Sequence, residues 1–418
     1  MAQVIRNTRL MQYFGLVAAT ALAACNPAPS AAPDTADVRF GVDVLSEQGM
    51  APIRGMRVGL ITNHTGGDRT GRSTIDVLYE HPDVQLVALF GPEHGIRGTA
   101  APGEHVESGR DEKTGLPIHS LYGQTQKPTP EMLEGLDALV FDIQDVGARY
   151  YTYMWTMALA LQAAAENNLR MVVLDRPNPI GGVRMDGNVL DTAFATFVGL
   201  YPVPMRHGLT VGEMARFLNA EFGIGADLVV VPAEGWRRNV WYDRTDLPWT
   251  APSPNMPDVE SATHYPGTCL FEGTNLSVGR GTDRAFQQIG APWLDHEELV
   301  RRLEAYDFPG VRFEAVTFTP RNPGDGQYPD QEVRGVRFVT TDRERYDPAV
   351  AGVAAVVEVQ RLHPDRLTFR ERHFDRLAGT SRVREQVLAG ASVQEITAGW
   401  ADQVAAFRAR VAPYLLYE

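Results

Sequence analysis

The chain contains little cysteine and has a deficit of positive charge. Only two of its 418 residues are cysteines, Cys25 and Cys269, so we expect a fold that does not depend on disulfide bonds and a buried, inert Cys269. Acidic residues outnumber basic ones by 52 to 39, and the formal net charge is -13. Overall charge therefore disfavours binding to nucleic acid or to anionic lipid. An acidic ligand would have to be bound by individual arginines.

The sequence also lacks the motifs that hold common cofactors. There is no Gly-x-x-x-x-Gly-Lys-Ser/Thr loop, and no Gly-x-Gly-x-x-Gly follows the first strand, so we expect no nucleotide ligand. Neither His-Glu-x-x-His nor paired cysteines occur, which argues against a zinc site. The Gly-x-Ser-x-Gly elbow of serine hydrolases is missing as well. We predict a protein that uses no cofactor and no metal and binds no nucleic acid and no nucleotide.

The first 24 residues have the pattern of an export signal. Arg6 and Arg9 precede an apolar stretch from Leu10 to Ala24, which is short for a membrane span. The sequence Leu-Ala-Ala-Cys that ends at Cys25 resembles the bacterial lipobox. We therefore expect residues 1–24 to be a lipoprotein signal peptide and Cys25 to carry lipid. An ordinary secretion signal beside a chance cysteine is the alternative.

The residues after Cys25 indicate how the folded body is attached. Residues 25–37 are rich in Ala, Pro, Ser and Thr and predict a flexible tether. Asn26 is not the aspartate that retains lipoproteins in the inner membrane. We expect an exported lipoprotein at the periplasmic face of the cell envelope, at the outer membrane rather than the inner one.

Two patterns divide the remainder of the chain. Between residues 38 and 235, short β-branched runs alternate with helical runs, which is typical of a parallel sheet with helical crossovers. Residues 236–418 begin with a long segment rich in Pro and Trp, and then predict strands and helices, among them one helix over residues 392–409. We predict an α/β fold, with a parallel-sheet domain at 38–235 and a smaller α+β domain at 236–418.

Four of the predicted buried strands end in polar side chains. Ligands of open parallel sheets bind outside the carboxyl ends of the strands, so we expect these side chains to meet at one edge. The polar groups are Asn63 and His64 after residues 58–61, Glu93 and His94 after residues 84–90, Asp142 after residues 138–141, and Asp175 after residues 171–174.

Glu93 is the candidate general acid. It follows Gly91-Pro92, and such a turn after a buried strand brings the next side chains over the sheet edge. His94 is expected to help position the other groups of the site and not to act as the base of a nucleophile. The alternative is a turn whose glutamate only caps the next helix.

Residues 142–151 combine two carboxylates, an arginine and a pair of aromatic side chains. Arg149 can bind a carboxylate through two hydrogen bonds, and Tyr151 can offer a ring face to a sugar. The alternative is that Asp145 caps a helix and that the aromatic rings belong to the core. Asp175 and Arg176 could likewise pair with each other, which would be a structural contact.

A glycine-punctuated segment, residues 265–283, carries Glu272, Asn275 and Arg280. Glycine lets the backbone approach a ligand closely, so these three side chains are further candidates for a site.

Together these segments closely resemble the NamZ-type exo-β-N-acetylmuramidases, glycoside hydrolase family 171. The likeness rests on residues 91–95, 142–151, 175–179 and 272–282, and it extends from about Phe40 to the end of the chain. It implies a Rossmann-like domain that holds no dinucleotide, a smaller second domain and an active site in the cleft between them. It also implies release of N-acetylmuramic acid from the non-reducing end of peptidoglycan fragments.

Glycoside hydrolysis usually requires one protonated carboxyl group and one carboxylate. We assign Glu93 as the acid and Glu272 or Asp142 as the second group, with Asp145 as a further option; assistance by the 2-acetamido group of the substrate remains open. Arg149 or Arg280 is expected to bind the lactyl carboxylate of muramic acid. The expected substrate contacts are Asn63, His64, His94, Asp145, Arg149, Tyr151, Asp175, Asn275 and Arg280.

Two other functions remain compatible with these residues. One is a lipid-tethered protein that binds muropeptides or other carbohydrates without catalysis. The other is a metal-assisted amide hydrolase built from Glu93, His94 and Asp142. The glycosidase hypothesis depends on Glu93, Asp142 and Arg149 facing one cavity.

Overall fold

The computed structural model describes residues 35–97 and 108–418, and Thr35–Glu418 form one compact unit. The expected signal peptide, Cys25 and most of the tether lie outside the described residues, and the division at residue 235 stays a prediction. None of the helices in the described part of the chain is both long and apolar enough to cross a bilayer.

The strands form three sheets. Their bounds are β1 (Arg57–Thr62), β2 (Gln85–Gly91), β3 (Gly109–Arg110), β4 (Pro117–Ser120), β5 (Ala138–Asp142), β6 (Arg170–Leu174), β7 (Asp186–Val189), β8 (Pro204–Arg206), β9 (Asp227–Val231), β10 (Gln288–Ala291), β11 (Val311–Phe318) and β12 (Val333–Thr340).

Helices fill most of the sequence between and after the strands. They are α1 (Gly41–Glu47), α2 (Thr74–Tyr79), α3 (Thr152–Glu166), α4 (Val211–Glu221), α5 (Val259–Thr268), α6 (His296–Glu304), α7 (Pro348–Leu362), α8 (Glu371–Ala378), α9 (Arg382–Leu388), α10 (Val393–Ile396) and α11 (Trp400–Val411). Short 3-10 turns occur at Ala51–Ile53, Pro130–Leu133, Thr192–Phe194, Tyr242–Arg244, Cys269–Gly273 and Ala412–Tyr414.

The large sheet has seven strands in the order β3-β4-β2-β1-β5-β6-β9. All neighbouring pairs are parallel except β3 with β4. Strand order reverses at β1, because β2 and β4 lie on one side of it and β5, β6 and β9 on the other. The pairing of Leu60 with Leu89 and with Val140 brings the carboxyl ends of the three central strands to one edge. The predicted parallel sheet is confirmed.

The central strands are buried on both faces. Every residue of β5 is buried, and β1 is buried except at its first residue, as expected for a sheet covered by helices on both sides. Helix α4 begins with a capping box, since Glu213 N donates to Thr210 Oγ1 (3.2 Å) and Thr210 N donates to Glu213 Oε2 (3.0 Å).

The C-terminal part contains a three-stranded antiparallel sheet, in the order β10-β12-β11, together with helices α5 to α11. The smaller α+β part is thereby confirmed. The single helix predicted over residues 392–409 is wrong: the chain forms α10 and α11, separated by Gly399, whose φ of 82° lies in the left-handed region that a continuing helix cannot use.

Candidate active site

A pocket of about 120 Å³ brings together residues that are far apart in the chain. Glu93, His94 and Tyr151 reach it from the large sheet and its loops, and Glu272 and Arg280 from the segment that follows α5. We call it the glutamate pocket. Five of the side chains predicted to form a site therefore line one cavity, and two of them are carboxylates.

Glu93 owes its position to a tight turn at the end of β2. Gly95 N donates to Pro92 O (2.9 Å), and His94 has a φ of 70°. This is the geometry of a turn whose third residue is usually glycine or asparagine, so the histidine there is unusual. The turn holds Glu93 half-buried at the edge of the sheet, as predicted from Gly91-Pro92.

Two hydroxyl groups accompany the Glu93 carboxylate. Thr152 Oγ1, at the first residue of α3, donates to Glu93 Oε2 (2.7 Å). Tyr122 also lines the pocket; burial raises the pKa of its hydroxyl, and the nearby Glu93 carboxylate raises it further. Tyr122 is therefore protonated at neutral pH and able to donate a hydrogen bond.

Glu272 forms an ion pair with Arg280. It lies in the turn Cys269–Gly273, and its Oε1 accepts from Arg280 Nε (2.7 Å) and Nη2 (2.6 Å). Burial alone would lower the pKa of the Arg280 guanidinium, but the Glu272 carboxylate outweighs burial and holds that pKa above its ordinary value. Arg280 is thus charged, and its two hydrogen bonds fix the orientation of the Glu272 side chain.

The backbone around Glu272 requires glycine. A Cβ at Gly273 would lie 2.5 Å from Phe374 Cα, so only glycine lets α8 pack against this turn. Cys269 is free and buried, as expected, and burial raises the pKa of its thiol well above the ordinary value. It is therefore an inert neighbour of Glu272.

Aromatic rings form another wall of the pocket. Tyr151 meets Tyr265 edge-on, with 5.9 Å between ring centroids, and Tyr265 meets Phe286 at 4.6 Å. All three rings line the cavity. Such walls suit the apolar face of a sugar ring.

Asp142 does not face the glutamate pocket, contrary to expectation. Its carboxylate is fully buried and accepts from Arg176 Nε (2.5 Å) and Nη2 (2.9 Å), and also from Thr74 Oγ1. A buried carboxylate with these three donors is already satisfied, so we withdraw Asp142 as a catalytic candidate. The Arg176 guanidinium thus pairs with Asp142, whereas from Arg176 the Asp175 side chain accepts only the backbone N–H (3.0 Å).

Arg149 is also outside the pocket. It is fully buried, and its guanidinium donates to four backbone carbonyls: those of Asn188 (2.8 Å), Val203 (3.0 Å), Leu377 (3.0 Å) and Ala378 (3.0 Å). Arg149 therefore connects α8 with β7 and with Val203, the residue before β8. Arg149 is therefore not placed to bind a substrate carboxylate. The expected meeting of Glu93, Asp142 and Arg149 in one cavity is not found, so a glycosidase hypothesis has to rest on the groups that do line the glutamate pocket.

We expect Arg149→Ala to destabilise the fold and not to change substrate preference. Hydrogen bonds from a charged donor contribute about 1.5–3 kcal/mol each, and four buried carbonyls would lose their partner, so the free energy of unfolding should fall by about 3 kcal/mol or more. Urea titration followed by circular dichroism measures this change. Unaltered stability together with weaker binding of acidic substrates would contradict the structural role.

Asp175 is a structural carboxylate as well. It is fully buried and accepts from Thr210 Oγ1 (2.7 Å), Gly212 N (2.8 Å) and Tyr417 Oη (2.6 Å). Burial raises its pKa to about 6 despite these donors. It anchors the start of α4 and the C-terminal segment, away from the glutamate pocket.

The remaining predicted contacts also lie elsewhere. Asn275 bonds to the backbone at Arg366 O (2.9 Å) and Thr368 N (3.0 Å). Asp145 accepts from Gly147 N (2.7 Å), and its Oδ2 is 3.7 Å from the Nε2 atom of His207.

The two residues that follow β1 lie outside the glutamate pocket. Asn63 forms a local contact, since its Oδ1 accepts from the backbone N (2.9 Å) and the hydroxyl (2.6 Å) of Thr65. His64 lines a second pocket, and its Nε2 lies 2.8 Å from the carbonyl oxygen of Ala251. The local sequence does not predict the position of His64, because Ala251 is 187 residues away in the chain.

Sequence reasoning did not assign several residues that line the glutamate pocket, among them Tyr122, Thr152 and Ser253. Thr152 begins the helix that follows the predicted site segment, which was a usable signal. Tyr122 and Ser253 lie in loops without a motif.

In residues 35–97 and 108–418, no three His, Cys, Asp or Glu side chains are grouped so as to hold a metal ion. The Glu93, His94 and Asp142 set of the amide-hydrolase hypothesis is not assembled, because Asp142 is buried against Arg176.

Comparison with known proteins extends these observations. Residues 58–260 match the N-terminal model, and residues 263–417 the C-terminal model, of exo-β-N-acetylmuramidase NamZ. The chain is 44% identical over 417 residues to the peptidoglycan β-N-acetylmuramidase NamZ of Bacillus subtilis (strain 168). The match covers 99% of this chain and 100% of that protein.

Two crystal structures of DUF1343 family proteins from Bacteroides fragilis have the same fold. One has a TM-score of 0.85 at 39% identity and the other a TM-score of 0.72 at 33% identity, and each comparison covers 91% of this chain and 99% of the other. By both family models and by full-length identity, the chain belongs to the NamZ exo-β-N-acetylmuramidase family of glycosidases.

Proposed function

We propose that this protein is an exo-acting glycoside hydrolase that releases N-acetylmuramic acid from the non-reducing end of peptidoglycan fragments. The observation that carries the proposal is the meeting of Glu93 and Glu272 in one pocket with aromatic walls. Most glycoside hydrolases cleave the glycosidic bond with two carboxyl groups that flank it. Membership of the NamZ family supports the same substrate class.

In the proposed mechanism, Glu93 donates a proton to the leaving oxygen. Thr152 and Tyr122 fix its carboxyl group at the pocket wall. Glu272, which Arg280 orients, is the carboxylate that acts on the anomeric carbon or on water. If the 2-acetamido group of the substrate attacks instead, Glu272 orients that group.

Recognition of the lactyl carboxylate falls to Arg280. Of the two arginines predicted for this role, it alone lines the glutamate pocket, since Arg149 is buried among carbonyls. Arg280 binds Glu272 through Nε and Nη2, so the lactyl carboxylate would accept from the donors on the remaining edge of the same guanidinium, which includes Nη1.

The decisive experiment uses the disaccharide of N-acetylmuramic acid and N-acetylglucosamine with an intact non-reducing end. Mass spectrometry should detect free N-acetylmuramic acid when the purified protein is added. Unchanged disaccharide together with measurable binding would favour the carbohydrate-binding alternative. Activity lost with chelator and restored by metal would favour the amide-hydrolase alternative.

Arg280→Ala should impair muramoyl substrates more than the corresponding glucosaminides. Loss of charged hydrogen bonds should lower kcat/KM by about 10- to 100-fold on a chromogenic muramide, and less on the glucosaminide, which has no lactyl carboxylate. Arg284→Ala removes an exposed arginine four positions along and serves as the control. Equal losses on both substrates would limit Arg280 to orienting Glu272.

We further propose that Cys25 is lipidated after removal of residues 1–24 and tethers the protein to the periplasmic face of the outer membrane. The lipobox-like sequence before Cys25 supports this proposal. Mass spectrometry of the N-terminal peptide should show a diacylglyceryl cysteine, and Cys25→Ala should move the protein from the membrane to the soluble fraction. A mature N-terminus that begins at another residue and carries no lipid would refute this proposal.

A further inference from the structure

The charges that line the glutamate pocket do not by themselves favour an acidic substrate. Of the Asp, Glu, Lys and Arg side chains in the described part of the chain, Glu93, Glu272 and Arg280 line the cavity. Arg280 already forms an ion pair with Glu272, so its charge is balanced before any ligand arrives. A muramoyl group carries a carboxylate, and a balanced arginine attracts it less than an unpaired one would. A second cation beside the pocket would supply the missing attraction.

The first turns of helix α8 lie against the turn that carries Glu272. Arg370 N, just before the helix, donates to Gly273 O (2.8 Å). A Cβ on Gly273 would lie 2.5 Å from Phe374 Cα, so the two backbones are in direct contact. Helix α8 is therefore held beside one of the two carboxylates of the pocket.

The last turn of α8 approaches another wall of the pocket. Leu377 O accepts from Arg149 Nη2 (3.0 Å), and the side chain of Arg149 also packs against Gly199, where a Cβ would lie 3.5 Å from it. Gly199 directly follows Val198, which lines the cavity. Helix α8 thus extends from the Glu272 turn towards the wall that contains Val198.

Two side chains of α8 form a pair in this region, the half-buried His373 and the exposed Arg376. Arg376 Nε donates to His373 Nδ1 (2.9 Å), so the neutral ring carries its hydrogen on Nε2. Burial lowers the pKa of His373 and Arg376 lowers it further, whereas the Glu272 carboxylate acts in the opposite direction. His373 is therefore neutral at pH 7 and can orient the guanidinium of Arg376.

Arg376 is accessible to a ligand. The residue is exposed, and no carboxylate in residues 35–97 and 108–418 forms an ion pair with it. Its Nη1 makes no hydrogen bond to that part of the chain, so two donors remain available. Burial raises the pKa of the Tyr122 hydroxyl and Glu93 adds to this effect, whereas Arg376 opposes it. The charge of Arg376 therefore acts on a group that lines the glutamate pocket.

We infer that Arg376 is a specificity-determining residue, which binds the lactyl carboxylate of the substrate together with Arg280, and that His373 is the positioning residue for Arg376. This inference rests on the proposed function and deepens it. Two guanidinium groups that share one carboxylate replace the attraction that Glu272 withdraws from Arg280. Because Arg376 is exposed, it also attracts the anionic substrate before the substrate enters the pocket.

The kinetic test compares a 4-nitrophenyl muramide with the same compound in which the lactyl carboxylate is a neutral carboxamide. Arg376→Ala should lower kcat/KM for the acid about three- to tenfold, mainly through KM, and should hardly change it for the amide. The loss is smaller than for Arg280 because solvent screens an exposed arginine. Arg376→Lys keeps the charge and should recover part of the loss. Arg372→Ala removes another exposed arginine of α8 and is the control.

The role of His373 is tested by a double-mutant cycle. His373→Phe removes the acceptor of Arg376 Nε and should raise KM for the acid two- to threefold at unchanged kcat. Combined with Arg376→Ala, it should add no further loss, because the two residues act through one contact. Additive losses would show that His373 does not act through Arg376.

Isothermal titration calorimetry with N-acetylmuramic acid provides a measurement that needs no catalysis. The wild-type protein should bind this sugar acid, and Arg376→Ala should weaken binding about three- to tenfold while Arg372→Ala does not. Absence of binding by the wild-type protein, equal kinetic losses on acid and amide, or the same loss in Arg372→Ala would each overturn the inference. If the wild-type protein binds the sugar acid but releases none from the disaccharide, the proposed function fails, and calorimetry still decides the role of Arg376.

Discussion

Glu93→Gln should lower kcat on the muramoyl-glucosamine disaccharide by about 1,000-fold, since general acid catalysis contributes about 10²–10⁴. The amide keeps the shape of the side chain and can still accept from Thr152 Oγ1, so the fold should be unaffected. The defect should be much smaller on a 4-nitrophenyl muramide, because nitrophenolate leaves without protonation. Steady-state kinetics on the two substrates separate these effects.

Two further variants serve as comparisons for Glu93→Gln. Glu272→Gln should impair both substrates alike, since the second carboxylate acts on the sugar and not on the leaving group. Glu131→Gln changes an exposed glutamate and should leave both rates unaltered. A folded Glu93→Gln protein that turns over the disaccharide at the normal rate would remove Glu93 from the mechanism.

Arg176→Ala should lower the free energy of unfolding by about 3–5 kcal/mol, because it leaves the fully buried Asp142 carboxylate without its counter-charge. Thr74 alone cannot compensate for a buried negative charge. Chemical denaturation at pH 7 measures the loss.

A double-mutant cycle isolates the pair itself. The single variants Arg176→Met and Asp142→Leu should each destabilise the fold, and the double variant should recover most of the stability, since buried ion pairs replaced by apolar groups of similar volume often cost little. Arg321→Ala breaks the exposed pair with Asp330, where both side chains are more than half accessible, and should cost at most about 1 kcal/mol. Additive losses in the cycle would show that Arg176 and Asp142 contribute independently.

The sheet was predictable from the sequence because its strands are short apolar runs. Residues 58–61 and 138–141 are buried on both faces, and such runs differ plainly from the helical pattern between them. The break at Gly399 was not predicted, because the periodicity of residues 392–409 continues across it. One glycine in the left-handed region was enough to separate the two helices.

The site was predictable only in part. Glu93 and Asp142 follow their strands in the same way, yet Glu93 turns outward on the His94 turn while Asp142 is held inward by Arg176. The difference depends on a partner 34 residues along the chain, and a local pattern does not reveal that. Arg149 is a similar case, since two of its four acceptors lie on α8, more than 200 residues away.

Helix α5 has a consequence for any attempt to dissect the protein. The N-terminal family model ends at residue 260 and the C-terminal model begins at residue 263, so the boundary between them falls inside α5. Gly267, on the same helix, would carry a Cβ 1.9 Å from Pro348 O, so its contact with the start of α7 leaves no room for a side chain. A cut at this boundary would divide α5, so we expect that fragments produced from separate genes would not fold without each other. Activity would return only when both halves are synthesised together.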